Sequence, residues 1–504
     1  MGKEGTIRRN IGAVIAALFM SMLISQGAFA AENEIAEKCG YDNTSKENPS
    51  YQVMNCLLTE AALKANIPAE VVKGIATQEN GEWKHFDESG KAIISEDGGI
   101  GIMQITNYKE SEKDQLKNDL IFNIAKGVKM LNENFKRSDL PRINDHDRNK
   151  IESWYFAVMA YNGTKPVNSP IVRDTGERNK EAYQEKVFRY IEAQSSDING
   201  DILLDLKHDE LPFNKSDFTY DNSKDESGNI KNIEFEKLQY NVDFVLTETK
   251  HHFEQGTIVS VTDAVKLRSQ PKTKSDEPQL EKDEFLTITG PFTYDLISNA
   301  NQFVWYPVVD VEGQSGYVAS SYLRGIHEFD DFGLNETDKG FKEVNALYQL
   351  GIIKGYTGNN FQPDSLLTRA EAAVFLSRAL NLDKLPYNLS FKDVKKDDWF
   401  AEDIAAVYHH PKKIFSGKSS TYFGAANRLT RGEMAAVLNR AFELTESSGK
   451  TVLLTDIEGH YFGSDIRILA QNNITAGYPD GTYKPDNEIT RLHFTLLLYR
   501  VLNK

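Results

Sequence analysis

The last third of the chain contains the same pattern three times. Arg369, Arg431 and Arg491 each follow a threonine, in LTR, LTR and ITR. Each copy also has a glycine fourteen positions before the arginine and an aromatic residue eight positions before it: Gly355 and Phe361, Gly417 and Phe423, Gly477 and Tyr483. Three offsets that agree in three copies indicate an internal repeat of about sixty residues. Each unit is predicted to form a helix, a glycine-rich turn and a second helix.

The threonine-arginine step marks the start of the second helix in each repeat. Thr368 with Glu371, and Thr430 with Glu433, match the S/T-x-x-E capping box, whereas the third copy has His493 in place of the glutamate. A cation at the first helical position opposes the helix dipole, so folding alone would not select arginine there. Free backbone N–H groups beside a guanidinium predict an anion site. The alternative is a solvated arginine at a repeat edge, and the third site has the weakest sequence support.

A second feature is a carboxylate at the end of an apolar helix. In the run from Pro68, placed at the first helical position, Val71, Val72 and Ile75 share a face with Glu79. Asn80 and Gly81 predict a stop with a residue in the left-handed conformation. Burial and the negative end of the helix dipole would both raise the pKa of Glu79, which suits a general acid. The alternative is a glutamate that turns outward to solvent.

Three downstream segments accompany Glu79. SEDGGIGIMQIT combines a glycine-rich turn with an apolar run that contains Gln104. WYFAVMAYNGT places Tyr161 and Asn162 at helical spacing before a stop at Gly163, and EAYQEKVFRYIEA predicts a late helix with Tyr183 on one face. Each signal alone is weak, because a tyrosine at helical spacing is more often part of a core.

The N-terminus and the composition limit the location and the ligands. Basic residues, an apolar run over 11–24 and Ala28-Phe29-Ala30 predict an export signal over residues 1–30 and a secreted protein without stable membrane insertion. The formal charge of the chain is −16, which argues against nucleic acid and anionic lipid as partners. The pattern of cysteines and histidines suggests no metal and no cofactor. The two cysteines, Cys39 and Cys56, leave a disulfide and two free thiols equally open.

The chain is predicted to be multidomain: a mainly α-helical domain, a small all-β barrel and a helical repeat domain. After the signal the expected boundaries are 31–194 for the helical domain and 195–255 for an acidic linker, with or without short strands. The β domain is expected at 256–324, where residues alternate in TIVSV, VKLRS, FLTITG, VWYPVVDV and SGYVASSYL. The repeats are expected at 327–385, 386–446 and 447–504.

The repeats resemble surface-layer homology domains, whose TRAE-type motif appears as TRAE, TRGE and TRLH, and whose turn is similar to GYPDGTYKP. The resemblance implies a pseudo-threefold helical domain that binds an anionic, pyruvylated secondary cell-wall polysaccharide. The three arginines and the three repeat glycines (Gly355, Gly417, Gly477) would form the binding sites. The turn KSSTYFGA departs from the pattern in the second copy. VKLRSQPKTKS and GYVASSYL resemble bacterial Src-homology-3-like domains, for which wall binding and a spacer role remain alternatives.

The helical domain resembles the lysozyme-like lytic transglycosylases. Glu79 at a helix end, the GIGIMQ segment (99–104), AYNG (160–163) and the Tyr183 helix follow the family's order, and NIAKGVKML (123–131) matches a further segment. The resemblance implies that Glu79 protonates the bond between N-acetylmuramic acid and N-acetylglucosamine in peptidoglycan, and that the muramyl 6-hydroxyl then closes a 1,6-anhydro ring. Tyr161 and Tyr183 would orient Glu79 or stabilise charge. Met103, Gln104 and Asn162 would line the sugar site.

Two departures from that family leave alternatives open. Asn80 stands where most members have serine, which affects a substrate subsite. Asp97 precedes the glycine-rich turn; if it positioned a water, the enzyme would be a hydrolytic muramidase, whereas its EDGG context favours a turn-forming aspartate. The resulting prediction is a secreted lytic transglycosylase in the cell wall or S-layer of a Gram-positive bacterium. The alternatives are a muramidase and a structural surface-layer protein that binds glycan without cleaving it.

Overall fold

The computed structural model describes residues 34–194, 204, 206–221, 232–272, 278–295, 301–334, 339–385, 387–447 and 453–504. The chain forms two compact units, residues 1–325 and 326–504. The expected export signal, 1–30, lies outside the described residues. None of the described helices has the length and apolar character needed to cross a membrane.

The first unit begins with a helical region. Its helices are α1 (Tyr51–Lys64), α2 (Ala69–Glu79), α3 (Lys113–Asn118), α4 (Leu120–Phe135), α5 (Tyr155–Asn162) and α6 (Tyr183–Ala193). Residues 34–39 are also helical, and a disulfide between Cys39 and Cys56 joins them to α1. The two alternatives for the cysteines are thereby resolved in favour of the bond.

Helix α2 lies at the centre of this region and packs against α1 and α6. Its apolar face is buried as predicted, but its two ends differ from the prediction. Pro68 precedes the helix as its N-cap, with φ −54° and ψ 125°. Asn80 is extended rather than left-handed (φ −151°), and its side-chain amide donates to the carbonyl of Lys84 at 2.7 Å. This bond within the following turn ends the helix without a left-handed residue.

The segment interpreted as an acidic linker, 195–255, differs from a spacer in its described part. Apolar residues of this segment are buried in the same core as the helices: Leu204, Leu206, Leu211, Phe218, Ile233, Tyr240 and Leu246. Strands β2 (Phe218–Tyr220) and β3 (Ile233–Phe235) form an antiparallel pair. Strand β4 (Gln239–Tyr240) pairs in parallel with β1 (Arg142–Ile143), which precedes α5. The sequence did not predict this packing, because charged residues separate the apolar ones.

A sheet follows in the same unit. Strands β5 (Ile258–Val261), β8 (Phe285–Ile288), β9 (Trp305–Asp310), β10 (Ser315–Ala319) and β11 (Leu323–Gly325) form five antiparallel strands in the order β10-β9-β8-β5-β11. Strands β6 (Val265–Lys266) and β7 (Gln279–Leu280) form a separate pair. The predicted strand runs are confirmed, whereas the Src-homology-3-like identity stays a prediction.

This sheet region is bonded to the first two helices. Tyr294 donates to the Glu60 carboxylate of α1 at 2.7 Å, and Lys73 of α2 donates to the carbonyl of Gln302 at 2.7 Å. Near the start of α2, the buried Glu70 accepts hydrogen bonds from the Thr249 hydroxyl at 2.7 Å and from His251 Nδ1 at 3.0 Å. The helix that carries Glu79 is therefore fixed at its other end by residues close to the sheet.

The second unit contains six described helices in three pairs. They are α7 (Phe341–Gln349), α8 (Arg369–Ala379), α9 (Ala401–His409), α10 (Arg431–Phe442), α11 (Gly463–Gln471) and α12 (Arg491–Leu502). The first helix of each repeat packs against the second helix of the preceding one: α9 on α8, α11 on α10, and α7 on α12. The backbone amides of Leu367, Leu429 and Ile489 donate to the carbonyls of Ile489, Leu367 and Leu429, respectively, at 2.9–3.0 Å. The contacts between repeats therefore close in a ring.

Candidate active site

Glu79 is the last residue of α2 and is half-buried. Val71, Val72 and Ile75 on the same helix are fully buried, so the helix face that carries Glu79 is held in the core. The hydroxyl of Tyr183 donates to Glu79 Oε1 at 2.5 Å. Burial raises the pKa of Glu79 to about 7, with a further contribution from the negative charge of Asp97, while the Tyr183 hydrogen bond acts in the opposite direction. The carboxyl group therefore retains a proton near neutral pH.

Tyr183 reaches Glu79 because two helices cross closely. It is the first residue of α6, and a Cβ built on Gly74 of α2 would lie 2.7 Å from Ile191 Cγ1 and 3.1 Å from Val187 Cγ1. A contact below 3 Å requires a residue without a side chain at that point. Gly74 thus lets α2 and α6 approach until the carboxylate and the phenol meet.

Tyr161 is the second-last residue of α5. Its hydroxyl donates to the carbonyl oxygen of Met103 at 2.8 Å, and the side chain of Met103 is completely buried. Burial and the nearby charge of Glu79 both raise the pKa of Tyr161, as they do for Tyr183. Both phenols are therefore neutral donors. The structure therefore places Tyr183 and Tyr161 close enough to Glu79 for its charge to act on both phenols. The side chain of Met103 lies in the hydrophobic core.

Two buried polar residues, which the sequence interpretation did not select, hold the 99–104 loop. Asn123 accepts from the Met103 amide at 3.1 Å and donates to the Ile100 carbonyl at 2.8 Å. His85 Nδ1 accepts from the Ile102 amide at 3.4 Å, and burial lowers the pKa of His85 to about 4. The neutral imidazole packs so closely that a Cβ on Gly101 would lie 2.2 Å from it. Asn123 is the first residue of the NIAKGVKML segment (123–131). The sequence signal that could have identified it is a polar residue on the apolar face of a helix.

The remaining predicted site residues have different environments. Gln104 is partly buried with φ 44°, and its amide donates to the Gly101 carbonyl at 2.7 Å. Asn162 is exposed at the end of α5 and accepts from Asn168 at 3.0 Å. Asp97 is exposed and accepts a short hydrogen bond from the Ser95 hydroxyl, which lowers its pKa. Asp97 therefore remains ionised in the turn, where its charge still reaches Glu79.

The three repeat arginines are buried, not solvated at an edge. Arg369, Arg431 and Arg491 are 5%, 7% and 3% exposed. Each guanidinium donates to a backbone carbonyl in the turn of the next repeat: Arg369 to Ser416 at 2.7 Å, Arg431 to Tyr483 at 2.8 Å, and Arg491 to Lys354. These carbonyl contacts offset the unfavourable position of a cation at a helix N-terminus.

The backbone N–H groups at these helix starts are not free, contrary to the expectation of an anion site built from them. The amides of Arg369, Arg431 and Arg491 donate to carbonyls of Asn427, Asn487 and Ser365 at 2.8–2.9 Å. The following amides donate to Ala425, Pro485 and Pro363. The two predicted capping boxes are present, and Thr490 caps the third helix without one. Carbonyl groups of the neighbouring repeat therefore accept from these backbone N–H groups, and the arginine side chains remain as candidates for ligand contact.

The repeat glycines are explained by close packing. A Cβ on Gly355 would lie 2.8 Å from the Phe329 ring, and one on Gly417 would lie 2.6 Å from Phe391. Gly477 has φ +77° and would meet Leu454 at 2.4 Å. Their structural role is to let an apolar side chain approach the turn. Among the described residues, no group of three or more His, Cys, Asp or Glu side chains is arranged to hold a metal ion.

Comparisons with known proteins match two parts of the chain. Residues 57–184 match the family model of the transglycosylase SLT domain, and residues 334–373, 390–435 and 453–495 each match that of the S-layer homology domain. Each family model covers less than half of the chain.

Curated relatives are similar over about a third of the chain. A cellulosome-anchoring protein of Acetivibrio thermocellus is 32% identical over 161 residues, which is 30% of this chain and 36% of that protein. A surface-layer 125 kDa protein of Lysinibacillus sphaericus is 32% identical over 170 residues, 32% of this chain and 14% of that protein. The chain thus spans about a third or less of the length of these relatives. The matched segments and these relatives point to a location at the cell surface, and the helical region is similar to glycan-cleaving SLT domains.

Proposed function

We propose that the chain is a secreted, wall-anchored lytic transglycosylase that cleaves the glycan strands of peptidoglycan. The observation that carries the proposal is the half-buried Glu79, whose pKa is raised to about 7 and whose Oε1 accepts from Tyr183 at 2.5 Å. A carboxyl group with a pKa near the working pH is suited to donate a proton and then to accept one. The match of residues 57–184 to the transglycosylase SLT domain supports the same reaction class.

The reaction needs one carboxyl group. Protonated Glu79 gives its proton to the oxygen between N-acetylmuramic acid and N-acetylglucosamine, and the muramyl C1–O bond breaks. The resulting carboxylate takes the proton of the muramyl 6-hydroxyl, whose oxygen bonds to C1 and closes the 1,6-anhydro ring. No water is consumed, and Glu79 ends protonated. Tyr183 holds the carboxylate in place, and Tyr161 orients the 99–104 loop through the Met103 carbonyl.

The hydrolytic alternative rests on Asp97, whose charge contributes to the raised pKa of Glu79. A muramidase needs a second group that either activates the attacking water or attacks the sugar itself. Asp97 is exposed, and its carboxylate is engaged by Ser95 within the turn. This arrangement favours the turn-forming role and therefore favours transglycosylation.

We also propose that the three repeats anchor the enzyme to an anionic, pyruvylated wall polysaccharide of a Gram-positive cell. The buried arginines that lie between repeats are the candidate sources of positive charge for that contact, and the matches to the S-layer homology domain support it. Peptidoglycan and this polysaccharide are the two proposed partners.

A cleavage assay tests the enzyme. Residues 31–504 and the Glu79→Gln variant are incubated with purified peptidoglycan, and the release of soluble fragments is measured from pH 5 to 9. Activity should fall as the pH rises through about 7, because Glu79 then loses the proton that it must donate. The variant should show no cleavage. Equal release by both proteins would contradict the assignment of Glu79.

A further inference from the structure

The three contacts between repeats differ in charge. We name them junction 1 (Arg369 with the turn of the second repeat), junction 2 (Arg431 with the turn of the third) and junction 3 (Arg491 with the turn of the first). In junctions 1 and 3 the residue at the third helical position of the contacted repeat, Glu433 or Glu371, lies within ion-pair distance of the arginine. The equivalent residue in junction 2 is His493, which is close enough to Arg431 for the charge of that arginine to lower its pKa.

Junctions 1 and 3 already contain a carboxylate. Arg369 Nη1 lies 3.4 Å from Glu433 Oε1, and Lys418 pairs with the same oxygen. Arg491 Nη1 lies 3.9 Å from Glu371 Oε1, which also accepts from the Tyr356 hydroxyl. A buried cation that is paired with a carboxylate is a poor site for another anion, because the two negative charges would repel each other.

Junction 2 has no such carboxylate. Within the described parts of the second unit, no acidic side chain lies within ion-pair distance of Arg431, which is 7% exposed. Its guanidinium lies over the rings of Tyr478 and Tyr483, with 4.8 and 4.5 Å from Cζ to the ring centres, and only its Nε donates to a carbonyl, at 2.8 Å. The Nη groups of a buried cation are thus left for a ligand, and a buried unpaired charge is costly unless a counter-charge binds.

A second cation adjoins Arg431. Lys484 Nζ lies 4.4 Å from the centre of the Tyr478 ring, and its partner Asp480 is 3.5 Å away at the solvent-exposed side of the turn. His493 is exposed, yet its pKa is lowered by partial desolvation and by the charge of Arg431, against the opposing charge of Asp364. His493 is therefore neutral at pH 7. Junction 2 presents positive charge and two aromatic rings.

We infer that junction 2 is the principal anion-binding site of the repeat unit, and that the replacement of the capping glutamate by His493 opens it. The ligand is an anionic substituent, a carboxylate or a phosphate, on a sugar polymer whose rings can stack on Tyr478. From the sequence, the absence of the capping glutamate made the third repeat the weakest candidate. We infer the opposite effect at junction 2, because without that glutamate no capping carboxylate of the third repeat competes with a ligand for Arg431 of the second repeat. The inference rests on the proposed anchoring function and assigns it to one junction.

The test uses a pair of variants that differ only in charge. His493→Glu and His493→Gln both restore a capping-box residue at the third helical position, so both are expected to fold at least as stably as the natural protein. In His493→Glu the new carboxylate would face Arg431, as Glu433 faces Arg369. Binding of residues 31–504 to purified wall polysaccharide is measured by calorimetry, before and after mild acid removes ketal-linked pyruvate, and after hydrofluoric acid removes phosphate.

His493→Glu should weaken binding at least about tenfold, which is about 1.4 kcal/mol, while His493→Gln should bind within about twofold of the natural protein. Loss of binding after mild acid would identify a carboxylate ligand, and loss only after hydrofluoric acid would identify phosphate. Equal binding by the two variants would overturn the assignment to junction 2 and leave anchoring intact. Failure of the natural protein to bind the polymer would overturn the anchoring proposal itself.

Discussion

At the scale of single residues, the site depends on one carboxyl group and the phenol that contacts it. Burial disfavours the charged form of Glu79, and the hydrogen bond from Tyr183 favours it. The outcome is a pKa of about 7, because desolvation is the larger of the two effects. This balance suits the role that we propose for Glu79, as acid in the first step and as base in the second.

Removal of the phenol hydroxyl tests this balance. Tyr183→Phe should lower kcat on the order of 10²-fold, because Glu79 loses the donor that orients and stabilises its carboxylate. The fall in activity at high pH should also move to a higher pH, since the lost hydrogen bond favoured the ionised form. Tyr190→Phe on the same helix is the control, because Tyr190 is 39% exposed. A Tyr183→Phe profile that coincides with the control profile would show that Tyr183 does not act on Glu79.

The residues of the site differed in how far the sequence predicted them. Glu79 was predictable because its spacing from Val71, Val72 and Ile75 places it on the buried helix face. His85 and Asn123 were missed because each makes its contacts with loop residues that are distant in sequence, and a single polar residue carries no periodic signal.

At the scale of elements, the crossing of α2 and α6 brings the acid and its phenol together. Two helices can approach this closely only where a side chain is missing, and Gly74 supplies that point. Sequence periodicity predicted both helices but not their crossing, because no local pattern specifies which residues of two distant helices meet.

Gly74→Ala should separate α2 from α6. The added methyl group would lie 2.7 Å from Ile191, and overpacking of this kind costs about 1–3 kcal/mol, against about 1 kcal/mol gained in helix propensity. We expect a lower melting temperature and a loss of kcat larger than the loss of stability alone explains, because the Glu79–Tyr183 contact is stretched. Gly290→Ala, whose Cβ meets nothing closer than 3.6 Å, is the matched control. Unchanged kcat in Gly74→Ala would show that the crossing does not set the site geometry.

At the scale of the whole molecule, the first unit is larger than the segment that matches the SLT domain. Residues of 204–246 complete its core, and Glu70 at the start of α2 accepts hydrogen bonds from Thr249, Lys250 and His251. The sequence suggested a spacer here because acidic residues separate the apolar ones. Their burial depends on contacts with helices far away in the chain, which local composition does not reveal.

Truncation tests whether this segment is part of the fold. Residues 31–194 lack seven buried apolar residues of the core, each contributing about 1.5–3 kcal/mol, a sum that is comparable with the ~5–15 kcal/mol stability of a typical domain. The shorter fragment should therefore lack a cooperative thermal transition by calorimetry, whereas residues 31–325 should show one. A cooperative transition of 31–194 within a few degrees of that of 31–325 would restore the spacer interpretation.

We propose that Glu79 alone carries out the cleavage, with the muramyl 6-hydroxyl in place of water. The most direct test is mass spectrometry of the fragments that residues 31–504 release from purified peptidoglycan. We predict muramic acid ends in the 1,6-anhydro form, lighter than the hydrolysed product by one water, and none from Glu79→Gln. Reducing muramic acid ends would contradict the account and would assign to Asp97 the positioning of a water.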